Sequence, residues 1–206
     1  VLEATVDKPV LTFTNVNWDQ VQTVTVTGVD DDFLRNDTAD ITVAVDQAAS
    51  DDLFDSLDDE TVDVDLTDDE VAALTITPLN LTVSEPGGTE TFTVVLDARP
   101  DIGESVVLNV VSDDTGEATV SPASLTFTDS DWDTPQTVTV TGVDDAAVGN
   151  DAAVINITAE AASTYDPFDA VSGAVNITLQ DDDAAGISVT PTDLTIEENG
   201  GSGTLD

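Results

Sequence analysis

The chain has 206 residues carrying 44 acidic side chains against 3 basic ones (Lys8, Arg35 and Arg99), for a formal charge of -41 with no His. A field this one-sided repels phosphate backbones and anionic lipid, so nucleic acid is excluded as a partner, and no apolar run long enough for direct membrane insertion occurs in this window. Cys is absent, which removes disulfides, thiolate metal sites and Cys nucleophiles together; with no His either, Ser-His-Asp and Cys-His catalysis is impossible, and the chain is not expected to be an enzyme. Yet 40% of the residues are hydrophobic, which is sufficient for an ordered core rather than a disordered polyanion.

From the N-terminus onward the sequence repeats. Leu11, Phe13, Trp18, Val24, Val26, Gly28, Asp30 and Asp31 return in the same order as Leu125, Phe127, Trp132, Val138, Val140, Gly142, Asp144 and Asp145. The offset is 114 from Trp18 to Trp132 and from Phe54 to Phe168, then 113 from Pro78 to Pro191 and from Glu85 to Glu198, so one residue is lost between 168 and 175. Two acidic knots, Asp68-Asp69-Glu70 and Asp181-Asp182-Asp183, mark the module borders. On that cut 1–70 is the C-terminal part of one module, 71–183 a complete module of about 113 residues, and 184–206 the N-terminal part of the next. The phase reads as a window on a longer array.

Within the complete module, Thr and Val alternate in the manner of half-buried strands. Strands are expected at 74–76 with 81–83, then 89–96, 105–111, 118–120, 125–127, 136–141, 154–159 and 174–179, as seven or eight strands of an all-β, immunoglobulin-like Greek-key sandwich. No segment holds a helical period over three turns. Trp18 and Trp132, just before equivalent strands, read as packing anchors. Four Asn-x-Thr sequons at Asn36, Asn80, Asn156 and Asn176 are the expected by-product of Thr-rich alternation, with glycan attachment as the other reading.

In such a sandwich the loop after the first strand, two inner connections and the end of the last strand meet at one pole. That pole collects Glu85, Asp113, Asp114, Asp144, Asp145, Asp151, Asp181, Asp182 and Asp183. Their counterparts in the leading copy are Asp30, Asp31, Asp37, Asp68, Asp69 and Glu70, and in the trailing copy Glu198. A hard divalent cation takes about six to eight oxygen ligands, which several convergent carboxylates supply and no single turn does. Two readings of this convergence are open. One is Ca²⁺ at the junctions between modules; the other is the solvated acidic surface of a salt-adapted protein, for which strand carboxylates such as Asp40, Asp63 and Asp65 speak.

The stretches 115–128 and 132–145, with the closing Gln180-Asp-Asp-Asp183, resemble the Calx-β and cadherin-like repeats of large bacterial surface and adhesin proteins. The resemblance implies Ca²⁺ held by Glu85, by Asp144 and Asp145, and by Asp181 to Asp183, and a prokaryotic extracellular or cell-surface location. Glu70 departs from the third Asp of the acidic triplet. The expected function is a structural one, a Ca²⁺-stiffened stalk or filament whose partners are neighbouring modules of the same chain or identical chains. Two other readings stand beside it. One is an adhesive module that recognises glycan or protein through loops at the opposite pole, around 97–101 and 165–169, since 46–54 and 160–168 differ more between copies than the strands do. The other is a fibre subunit completed by strand donation.

Overall fold

A computed structural model describes residues 3–160 and 163–206. Residues 161–162, within the 160–168 loop compared above, lie outside the described residues. The leading copy contributes β1 (Ala4–Val6), β2 (Val26–Gly28), β3 (Asp37–Val43) and β4 (Glu60–Leu66), as two antiparallel pairs β1-β2 and β3-β4.

The complete module contributes β5 (Leu74–Thr77), β6 (Asn80–Ser84), β7 (Thr89–Leu96), β8 (Ser105–Ser112) and β9 (Ala118–Ser121). They are followed by β10 (Ser124–Thr128), β11 (Gln136–Gly142), β12 (Ala152–Ala159) and β13 (Ser172–Gln180). The sheets are β10-β8-β12-β13-β6 and β5-β7-β11-β9. This is an all-β, immunoglobulin-like sandwich. It holds nine strands rather than seven or eight because the first strand divides at Pro78, which has no N–H to continue a ladder. Its β5 half pairs β7 in one sheet, and its β6 half runs parallel to β13 in the other.

The alternation predicted from Thr and Val is the observed burial pattern. On β13, Val175, Ile177 and Leu179 face inward while Asn176, Thr178 and Gln180 face outward. The inner faces close around Phe92, Phe127, Phe168, Leu108 and Ile155, with Trp132 packed against the edge of the cluster. Burying each such side chain contributes about 1.5–3 kcal/mol. Phe168 reaches the core from a one-turn 3₁₀ helix, Asp166–Phe168.

The leading copy keeps the same registers without the same core. Ala4 pairs Gly28 as Ala118 pairs Gly142, and Ile41 pairs Val62 as Ile155 pairs Val175. The counterpart of β10, around Leu11 and Phe13, forms no strand, because no counterpart of β8 stands beside it among the described residues. In the trailing copy, 184–206 likewise has no strand, and Thr190 and Asp206 exchange two backbone hydrogen bonds of 3.0 Å. No helix among the described residues is long and apolar enough to cross a membrane.

Candidate metal centre

Strand ends deliver the acidic groups. The parallel register of β6 with β13 finishes at Ser84 opposite Gln180, and the Glu85 N–H continues it by donating to the Gln180 carbonyl at 3.0 Å, which sets Glu85 beside Asp181. At the end of β11 the backbone passes so close that a Cβ on Gly142 would stand 2.8 Å from the Ser84 carbonyl oxygen. Only glycine fits there, and the approach carries Asp144 over Glu85. The Val143 N–H then donates to the Glu117 carbonyl at 2.8 Å, drawing in the turn before β9.

The result is two carboxylate triads sharing one residue: Glu85 with Asp144 and Asp182, and Glu85 with Glu117 and Asp151. Within each, ligand oxygens lie within 4.8 Å of one another. Two oxygens on opposite sides of one Ca²⁺ stand about 4.6–5.2 Å apart, so each triad fits around one ion. Glu85 is only 5% exposed, yet its Oε1 has no hydrogen-bond partner, and neither does the buried Oε2 of Glu117. A buried carboxylate without a donor is costly unless a cation or a proton meets it. Burial pushes the carboxyl of Glu85 upward, with the charges of Asp145, Asp181, Glu117 and Asp151 adding to it. Glu117 and Asp183 are raised for the same reasons, burial first and neighbouring carboxylates second. An all-oxygen, all-anionic donor set suits a hard cation and no soft one.

The leading copy builds two triads of its own, Glu3 with Asp31 and Asp37, and Asp30 with Asp69 and Glu70, with Asp31 and Glu70 in the places that Glu85 takes in the complete module. Under the repeat offsets Glu3 and Asp37 answer to Glu117 and Asp151, while Asp30, Asp69 and Glu70 answer to Asp144, Asp182 and Asp183. The Oδ2 of Asp31 is again buried without a partner. Glu70 is pushed up to about 7, first by its hydrogen bond with Asp68.

Not every sequence-predicted ligand enters a triad. Asp113 extends the sheet instead, its N–H donating to the Val154 carbonyl at 3.0 Å and its Oδ1 accepting from the Val154 N–H at 2.6 Å. Asp114 and Asp145 close local turns by accepting from Gly116 N–H at 2.9 Å and Ala147 N–H at 2.7 Å. Asp181 accepts from Gly149 N–H at 2.6 Å and from Asp183 N–H at 2.8 Å, so it shapes the rim. Asp68 and Asp183 stand beside the triads, and Glu198 joins none among the described residues. Glu3 and Glu117 are absent from the sequence-predicted set. Their signal was the recurrence of Glu-Ala-Thr-Val at 3–6 and 117–120.

The opposite pole of the complete module is not free. The 32–35 loop of the leading copy seats Phe33 against Arg99, and the Tyr165 hydroxyl donates to the Leu34 carbonyl at 3.1 Å. The 97–101 and 165–169 loops therefore meet the preceding module.

Fold and site together define an acidic, immunoglobulin-like β-sandwich repeat with carboxylate-lined poles. No protein-family model matches the sequence, and no curated protein matches it. Among solved structures it is similar to the periplasmic chaperone SfaE, at 9% identity over 52% of this chain and 56% of that one, with a TM-score of 0.40. It is similar to the E. coli chaperone DraB at 9% identity, 57% and 58% coverage and a TM-score of 0.40. The S-layer protein rSbsC(31-844) matches at 19% identity over 86% of this chain and 20% of that one, with a TM-score of 0.42. The chain thus spans little more than half the length of the two chaperones and a fifth of the S-layer protein.

Proposed function

We propose that the chain is part of a structural, extracellular stalk or filament of a prokaryotic cell surface, built of tandem sandwich modules whose acidic poles bind Ca²⁺. One observation carries the reading: both copies assemble carboxylate triads that have two equivalent residues each in common, and each copy leaves a buried carboxylate oxygen of those triads without a hydrogen-bond partner. A merely solvated acidic surface would leave its carboxylates in water. Glu85, Asp144 and Asp182 would hold one ion, and Glu117 and Asp151 with Glu85 a second. The ion supplies positive charge that ties the end of β13 to the loops at its pole. Flexible carboxylates favour Ca²⁺ over Mg²⁺, which demands near-ideal octahedral geometry.

Titration calorimetry on the 206-residue chain tests the reading. Millimolar Ca²⁺ gives binding heat that Mg²⁺ does not reproduce, and Asp144→Asn with Asp182→Asn reduces it. Absence of Ca²⁺ heat, or heat indifferent to both substitutions, sinks the assignment.

A second reading is a fibre in which another chain donates strands to complete a module. Concentration-dependent assembly on ultracentrifugation would favour it over the single-chain stalk. The adhesive reading draws less support, because the loops it needs at 97–101 and 165–169 are engaged by the preceding module.

A further inference from the structure

We infer that the 32–35 loop of one module and the 98–101 turn of the next form a lock that needs no cation from solution, with Phe33 held between two arginines. Phe33 lies in a loop yet is 3% exposed. The guanidinium carbons of Arg35 and Arg99 stand 4.6 Å and 4.4 Å from its ring centroid, well inside the range over which a cation is attracted to an aromatic face.

Hydrogen bonds fix the geometry from both modules. The Arg99 N–H donates to the Asp32 carbonyl at 2.7 Å, and Arg99 Nε donates to the Asp129 carbonyl at 2.9 Å. Arg35 bridges the modules, its Nε on Asp37 at 3.1 Å and its other arm on Asp101 at 2.5 Å. Planar, delocalised guanidinium serves both tasks at once, stacking on a ring and forking to carboxylates. The chain has only three basic residues, and two of them are placed here. Between two polyanionic modules they replace repulsion with attraction at the point of contact.

The lock belongs to this junction and not to the next. The positions equivalent to Phe33, Leu34 and Arg35 are Ala147, Val148 and Gly149, which offer neither ring nor guanidinium. The backbone differs too. Gly149 has φ of 128°, in a region that favours glycine, whereas no non-glycine residue among the described residues, Arg35 included, has a positive φ. Gly149 turns its N–H inward to Asp181 at 2.6 Å, where Arg35 reaches outward to the following module. Junctions of this array are therefore of two kinds, one clamped by side chains and one lined by carboxylates alone.

Amide hydrogen exchange of the 206-residue chain in excess chelator tests this, because it reads the junction in the absence of the proposed Ca²⁺. The Arg99 amide should stay protected in the wild-type chain. Phe33→Ala should speed its exchange at least tenfold while Ile155, in the core, is unchanged; Phe33→Trp should preserve the protection, and Phe33→Leu should lose most of it. Should Phe33→Ala also speed Ile155, Arg99→Gln, which removes the cation from the surface of the sandwich, replaces it as the deciding variant. Wild-type exchange at Arg99 as fast as in Phe33→Ala would overturn the lock and leave the calcium reading standing. Full protection in Phe33→Leu or in Arg99→Gln would overturn the arginine clamp in favour of plain apolar contact.

Discussion

Two copies of one repeat stand in this chain, one with its nine strands and one without counterparts of β5 to β8 among the described residues. Phe127 and Phe168 are fully buried, whereas their counterparts Phe13 and Phe54 are 53% and 55% exposed. The strand pairs of the leading copy hold the registers of the complete module, yet β1-β2 and β3-β4 line an open cavity between them instead of a filled core. Local alternation and turn residues therefore specify which residues pair, and the opposing sheet specifies which become core. The acidic poles need less. Both copies form triads, because these depend on strand ends and adjoining loops rather than on a filled interior.

The largest effect should separate the cores. Phe127→Ala removes a fully buried ring and should cost about 3–5 kcal/mol, whereas Phe13→Ala at the equivalent position should stay within about 0.5 kcal/mol. Urea unfolding of the two variants reads the difference. Equal costs would mean that the leading copy has a packed core after all.

Calcium should come next. With sites of roughly 10⁻⁴ to 10⁻³ M, typical of extracellular modules, about 10 mM Ca²⁺ adds roughly 1.4–2.7 kcal/mol per site. NaCl at matched ionic strength should not reproduce that shift in melting temperature, because screening acts on all surface charge alike. Equal melting temperatures in the two salts would return weight to the salt-adapted surface. Glu85→Gln should abolish most of the Ca²⁺ increment in the complete module while leaving the melting temperature in chelator unchanged or higher, since the charge it deletes is buried and unmet.

The smallest effect should be in pH. Glu70, Glu85, Glu117 and Asp183 all have carboxyls raised in the folded chain, so the fold holds protons that the unfolded chain has released. In chelator, stability should be greatest near and below the ordinary carboxylate range of about 4–4.5, and should fall as pH rises through about 7, where Glu70 titrates. Saturating Ca²⁺ should flatten or reverse that slope, because ion and proton compete for the same oxygens. Melting temperatures at pH 5 and pH 7.5, with and without Ca²⁺, give the four values needed. A chelated chain that is more stable at the higher pH would contradict the raised carboxyls.

Much of this was legible in the sequence. Val and Thr alternation located the strands of the complete module, and the loop order of a sandwich gathered the acidic residues toward one end. The role of individual acids was not. Asp113 and Asp144 look alike on paper, but one continues a ladder with Val154 and the other hangs over Glu85, a distinction set by where β8 and β11 end. Burial of Glu85 follows from the parallel pairing of β6 with β13, which no local pattern announces. The Phe33 contact was illegible for another reason. It sits where the copies differ, so the repeat offered no second instance of it.

The pairing of β6 with β13 also governs how the module should bear force. These are the first and last strands of their sheet, they run parallel, and their register from Asn80 opposite Asn176 to Ser84 opposite Gln180 is reinforced by an Asn176 to Asn80 side-chain hydrogen bond of 3.1 Å. A pull along the array enters near Asn80 and leaves beyond Gln180, so it slides the two strands past each other and strains all their bonds at once. An antiparallel pair loaded at one end would instead open bond by bond, like a zip. A tether under tension would gain from the sliding geometry, because rupture then waits on the simultaneous loss of the whole set.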